Sequence, residues 1–182
     1  MKILQRYTVK DIVFLAILAA ALTITGMITM PLVMTVTLFG VRNAAAAIFY
    51  GIFGAIGLMR VRKPGALILL GLFNGVVLLM MSPVMFFNNA VGSLLAEIVT
   101  LLIFRNYRSD KSIILASGLF VPMTLPLSIV FGMLLNGQTF AQLVEQPLVS
   151  SLICVGAVAL SFLGAFIGLK IGKELQKAGK LK

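Results

Sequence analysis

The chain has no histidine, no tryptophan and a single cysteine, and only five of its 182 residues are acidic. Without histidine there is no Ser-His-Asp or Cys-His catalysis and no histidine-based metal site. Cys154 has no second cysteine to pair with, and its apolar neighbours mark it as a small packing residue. The acids Asp11, Glu97, Asp110, Glu145 and Glu174 are scattered, so no aspartate cluster is available to hold metals for phosphoryl transfer. Charged residues make up 11% of the chain, against about 25% in a typical soluble domain.

What fills the sequence instead is apolar. Hydrophobic residues account for 60% and the mean hydropathy is +1.12. A soluble fold of this size keeps much of its surface in water and cannot hide so much apolar area. A membrane span takes about 20 residues, so six spans use roughly 120 positions. The remainder suffices for short connections and two tails, with no extramembrane domain. The expected fold is therefore an all-α integral membrane protein, a single six-helix bundle covering 1–182.

The apolar runs place those helices at about 12–30, 38–59, 64–82, 85–104, 112–135 and 147–171. The first follows a basic start, as a signal peptide would. It is longer than a typical h-region and no clear small-residue cleavage site follows, so it reads as a retained helix. Pro64 suits the first turn of the third helix, where its missing N–H costs nothing. Pro83 separates the third and fourth, Pro122 and Pro126 fall inside the fifth, and Pro147 opens the sixth. The tail from Gly172 is basic and expected to fray.

Fifteen Lys and Arg against five Asp and Glu give a formal charge of +10. On a soluble protein this excess points to nucleic acid, but here it is broken into small clusters between apolar runs. Lys2, Arg6 and Lys10 precede the first helix. Arg60, Arg62 and Lys63 follow the second, and Arg105, Arg108 and Lys111 follow the fourth. Lys170, Lys173, Lys177, Lys180 and Lys182 close the chain, and the other three connections hold no basic residue. Cytoplasmic loops carry such excess. The alternation predicts a multi-pass protein of the cell membrane with both termini cytoplasmic and an even number of spans. Its surroundings are the lipid bilayer, with no nucleic acid as partner.

Some features point to chemistry or contact. Ala16 and Ala20 share one face of the first helix, with Ala19 as a competing register, while Gly164, Gly168 and Gly172 form a row on the sixth. Small residues at this spacing let helices approach closely, within one bundle or between proteins. Arg42 and Glu97 are the ionisable residues well inside apolar runs, and such residues usually face a cavity or a partner. Their expected depths differ by roughly 12 Å at 1.5 Å per residue, so a bridging ligand or a polar side chain such as Asn74 competes with a direct ion pair. Arg42 snorkelling to headgroups, and Glu97 protonated or structurally hydrogen-bonded, are equally open. At the other expected surface lie Phe86, Phe87, Asn88 and Asn89, the Asn136–Thr139 stretch with Gln138, and Thr124 between the two prolines. Aromatic walls with a few amides suit a small, flat, largely uncharged ligand. Ordinary interfacial capping is the competing account of the same residues. Gly168-Leu169-Lys170-Ile171-Gly172-Lys173-Glu174 misses the P-loop pattern: it is one residue short and has Glu174 where a hydroxyl would hold magnesium. A catalytic role is not expected.

Six short helices, both ends inside and an alanine pair on the first helix resemble the S-components of energy-coupling factor (ECF) vitamin transporters. More closely, the stretch from Arg62-Lys63-Pro64-Gly65 through Leu95-Ala96-Glu97 to Arg105-Asn106-Tyr107 resembles the Trep-Strep type of that family. The resemblance implies a substrate-capturing subunit that works with a membrane T-component and two ATPases. It would bind a small vitamin or precursor, hydroxymethylpyrimidine first among them, near the outer face and release it inward. Ala16 and Ala20 would then meet the T-component. Asn88, Asn89, Phe87, Thr124 and Gln138, with Glu97 and Arg42, would serve the ligand. No cofactor is expected in this chain, since the partner ATPases use the ATP. Thiamin-binding S-components use tryptophan, which is absent here and argues for a smaller ring. A membrane scaffold or regulator, and a self-sufficient small transporter working as an oligomer, are the other two readings of the same sequence.

Overall fold

A computed structural model describes residues 7–33, 35–36 and 38–179. These form seven helices: α1 Val9–Val33, α2 Val41–Arg60, α3 Ala66–Leu79, α4 Pro83–Phe104, α5 Asp110–Asn136, α6 Phe140–Leu143 and α7 Pro147–Lys177. No strand occurs among the described residues. Five of the helices (α1, α2, α4, α5 and α7) are long and apolar enough to cross a membrane. Lys2, Arg6, Lys180 and Lys182 lie outside the described residues.

The third helix differs most from expectation. It has 14 residues rather than the full 64–82 stretch, about 21 Å at 1.5 Å per residue, short of a hydrocarbon core of about 30 Å. Pro64 is not in its first turn. Gly65 caps the helix instead, at φ 95°, a left-handed conformation that glycine adopts without strain. At the other end the chain turns at Met80 and Met81, and Pro83 enters α4 at its first turn rather than lying before it. Two further corrections concern the later helices. The stretch after α5 holds a single turn, α6, closed by a reciprocal capping box between Thr139 and Gln142. The tail does not fray at Gly172: α7 continues to Lys177, with Gly172 seated on the Met59 sulfur and the Gln176 amide donating to the Met59 carbonyl.

The helices close into a ring in the order α1, α3, α4, α5, α7, α2, and α2 also presses inward against α3 and α5. The tightest seam is α2 against α7. A Cβ at Gly164 would overlap the Ile48 carbonyl, one at Gly168 the Ile52 carbonyl, and one at Gly51 the Ser161 carbonyl. The glycine row thus serves packing inside this bundle, where close backbone approach replaces a hydrophobic driving force. On α1, by contrast, Leu15, Leu18, Ala19 and Leu22 enter the core while Ala16 and Ala20 face outward.

The described basic residues of the chain ends and even-numbered connections gather at one end of the bundle. Contacts across elements fix this: Lys63 pairs with Asp11 at 2.7 Å, Lys173 pairs with Asp110, and the Arg60 guanidinium lies 5.9 Å from the centre of the Phe14 ring. The opposite end carries the amide-rich starts of α2 and α4 and the α5–α7 connection.

Candidate functional site

Two groups of polar side chains are held inside the bundle, and both touch α4. Asn88 and Asn89 are consecutive on this helix, so their side chains point about 100° apart. Asn89 turns toward α2 and α3, and Asn88 toward α5.

On the Asn89 side, the Asn74 amide donates to the Tyr50 hydroxyl (2.8 Å) and to Asn89 Oδ1 (2.9 Å), and the Tyr50 hydroxyl donates to the same Oδ1 at 3.0 Å. Thr23 donates to Asn74 Oδ1 at 2.9 Å, and the Asn89 amide donates to the Met85 carbonyl. One neutral network therefore joins α1, α2, α3 and α4. It fits because α3 lies close on α4: a Cβ at Gly71 would overlap Ser93, and one at Gly75 would crowd Phe86 and Asn89. The Tyr50 ring is held edge-on against Phe120, centroids 5.0 Å apart.

On the Asn88 side, the Asn88 amide donates to Ser128 Oγ at 2.9 Å, and Ser128 donates to the Thr124 carbonyl at 2.8 Å. The Asn43 amide donates to Thr124 Oγ1 at 3.3 Å. Thr124 in turn donates to the Val121 carbonyl, in the stretch where Pro122 and Pro126 interrupt the backbone ladder without breaking the helix. Phe87 flanks this group, its ring 5.4 Å from Phe131 and 5.2 Å from Phe86. Asn88 Oδ1 is buried and accepts no hydrogen bond from the protein. A buried acceptor in this state is costly unless something donates to it.

The two clusters contain amides and hydroxyls and no charge. They can recognise a small neutral molecule by donor and acceptor placement, with aromatic rings for its faces.

Of the residues singled out in the sequence, Asn88, Asn89, Phe87 and Thr124 come together here. Gln138 does not join them: it is exposed beyond α5, and its backbone N–H reaches the Gly132 carbonyl. Arg42 is exposed at the start of α2 and pairs with no acid. Glu97 lies at the basic end and does not meet Arg42. Its carboxylate accepts from the backbone N–H groups of Gly65 and, at 3.0 Å, of Ile68. These are orphan donors of the first turn of α3, whose glycine cap offers no side chain. Glu97 is thus a cap lent by a neighbouring helix, placed where the α3 dipole favours negative charge.

The surroundings of that cap complete a second polar centre. Tyr7 donates to the Pro64 carbonyl at 2.6 Å, and Lys63 sits over the Tyr7 ring while pairing with Asp11. Tyr107 is buried beside it with no hydrogen bond of good geometry. Burial, and then the nearby Glu97 carboxylate, push the phenol pKa of both tyrosines up. Non-helical backbone is tolerated at this depth because protein groups satisfy it. The three segments around Lys63-Pro64-Gly65, Glu97 and Tyr107 therefore meet in one structural joint.

A family described as "Hypothetical bacterial integral membrane protein (Trep_Strep)" matches residues 9–177. The chain belongs to the Trep_Strep family. No curated protein and no solved structure matches it. This Trep_Strep protein is accordingly an integral membrane protein with several apolar helices.

The sequence reading missed Tyr50, Asn43, Ser128 and Thr23. A signal existed for three of them. Asn43 and Tyr50 are seven residues apart on α2, and Ser128 is four beyond Thr124, so each pair shares a helix face. The near P-loop stretch is continuous helix packed on α2.

Proposed function

We propose that this Trep_Strep protein is the substrate-capturing S-component of an ECF transporter. It binds a small, uncharged heteroaromatic vitamin or precursor, with hydroxymethylpyrimidine as the leading candidate. The observation that carries this reading is the neutral amide–hydroxyl cluster at the starts of α2 and α4. There Asn88 Oδ1 is an open acceptor on the same turn of α4 as Phe86 and Phe87, and the Phe87 ring packs on Phe131. A flat ring with N–H and O–H donors would satisfy that acceptor and stack on the aromatic wall.

The basic end faces the cytoplasm by the charge rule, with both termini inside the cell membrane's inner face and the amide end outward. The protein is not an enzyme and carries no cofactor. Its partners are a T-component, met through the outward Ala16 and Ala20 on α1, and two ATPases that supply the energy. Gln138, exposed beyond α5, falls outside the ligand set. Glu97 and Arg42 fall outside this ligand set: the first holds α3, and the second reaches headgroups.

Affinity purification is the test. A tagged chain, expressed with candidate T-component and ATPase genes of its own host, recovers all three subunits in stoichiometric amounts. Recovery of the chain alone from a host that expresses all of them would defeat the proposal.

A further inference from the structure

At the basic end a groove of about 320 Å³ opens between α4, α5 and α7. Its walls are Ile103, Phe104, Ile114, Leu115 and Phe162, and Lys111 stands at its mouth. It is apolar nearly throughout. From Lys111 to Gly118, against which the Phe162 ring lies, is seven residues of α5, or about 10 Å. That is within the roughly 15 Å half-thickness of a hydrocarbon core, so the groove runs from the headgroup level toward the acyl region.

The charge around its mouth is unbalanced. Each described acid at this end is already engaged: Asp11 with Lys63, Asp110 with Lys173, Glu174 with Lys177, and Glu97 with the start of α3. Arg105, Arg108 and Lys111 are exposed and make no ion pair. Lys111 therefore keeps its positive charge unneutralised at the mouth of the apolar slot, on the same connection as Arg105 and Arg108. Asp110, which could have neutralised Lys111 from the next position, is drawn across to α7.

We infer that this groove is a binding site for an anionic glycerophospholipid of the leaflet at the basic end, with its phosphodiester on Lys111 and one acyl chain between Ile114, Leu115 and Phe162. A cation at the rim of an apolar inter-helix groove supplies both halves of such a lipid's chemistry, whereas a zwitterionic lipid gains little from an unpaired positive cluster. The site lies at the opposite end from the neutral amide clusters and does not depend on what they bind.

Native mass spectrometry of the purified chain in detergent, titrated with phosphatidylglycerol or phosphatidylcholine, tests it. The expected result is retention of one phosphatidylglycerol per chain, with phosphatidylcholine released at the same activation energy. Lys111→Gln lowers phosphatidylglycerol affinity about five-fold, the effect of one surface cation, and Leu115→Trp, which fills the slot, lowers it at unchanged charge. Lys177→Gln removes the same charge about 22 Å along α7 from Phe162 and leaves affinity within two-fold. Equal retention of the two lipids, or equal losses from Lys111→Gln and Lys177→Gln, would overturn the site. So would full displacement by millimolar inorganic phosphate, since the acyl chain would then contribute nothing.

Discussion

Eight residues separate Asn89 from Glu97 on α4, about 12 Å along the helix, and the two are used in opposite ways. Around Glu97 the charged groups are committed within the protein: the carboxylate closes the first turn of α3, Tyr7 closes the Pro64 carbonyl, and Asp11 holds Lys63, while the buried Tyr107 hydroxyl has no hydrogen bond of good geometry. Around Asn88 and Asn89 the groups are neutral, they bridge five helices, and one buried acceptor is left open. A site whose charged groups are all bound by its own protein is a joint. The neutral site, with hydrogen-bonding capacity to spare beside aromatic rings, is the one we propose for a ligand.

The difference is best probed by breaking each end separately. The largest loss is expected from Glu97→Ala, which strips two partly buried N–H groups of their acceptor at once. At roughly 1–3 kcal/mol each, it costs several kcal/mol in denaturant unfolding, while the protein that still folds binds ligand with unchanged affinity. Glu97→Gln retains an acceptor and loses less. If Glu97→Ala instead abolished binding at unaltered stability, the joint would have to be reassigned as part of the ligand site.

Asn88→Ala is the reverse case. It removes the open acceptor, so hydroxymethylpyrimidine affinity in isothermal titration falls about ten-fold, the worth of one hydrogen bond of about 1.4 kcal/mol, and the unfolding midpoint barely moves. Asn89→Ala loses on both counts, because its Oδ1 also holds Tyr50 and Asn74.

Smaller again is the response to pH. The Tyr7 phenol is raised above its ordinary 10.0 by burial first and the Glu97 and Asp11 charges second. The stability it contributes is whole below pH 10.0 and is lost as the pH climbs past that value. The unfolding midpoint therefore drops on the alkaline side, and Tyr7→Phe flattens that drop; an unchanged slope would remove Tyr7 from the joint. The least effect on either end is expected from Ala16→Trp. The residue faces outward, so stability and ligand affinity are kept, and assembly with a T-component is lost in the purification experiment.

Much of this architecture was legible in the chain. Apolar runs bounded by Pro and by basic clusters gave the long helices, because a membrane-spanning segment must be continuous and uncharged. The Gly164, Gly168 and Gly172 spacing announced a close seam, and Asn88, Asn89, Phe87 and Thr124 were visible as polar or aromatic groups where apolar ones would be expected. The role of Glu97 was not legible. Its partners are backbone N–H groups 32 and 29 positions away, and no side-chain pattern records a backbone donor. The shortness of α3 follows from the same fact, since the helix begins only where that carboxylate receives it. Tyr50 was hard to read despite its spacing from Asn43: in an alanine-rich apolar run a tyrosine reads as one more hydrophobic residue, and its hydroxyl gains meaning only once Asn74 and Asn89 are beside it.

The central claim is that the neutral clusters capture a small uncharged heteroaromatic molecule. Mass-spectrometric identification of what copurifies with the chain tests this most directly, run in parallel on the Asn88→Ala variant. The account predicts one small neutral heteroaromatic compound per chain in the native protein and its loss from the variant. A charged or purely aliphatic ligand, or a compound retained equally by both proteins, would contradict it.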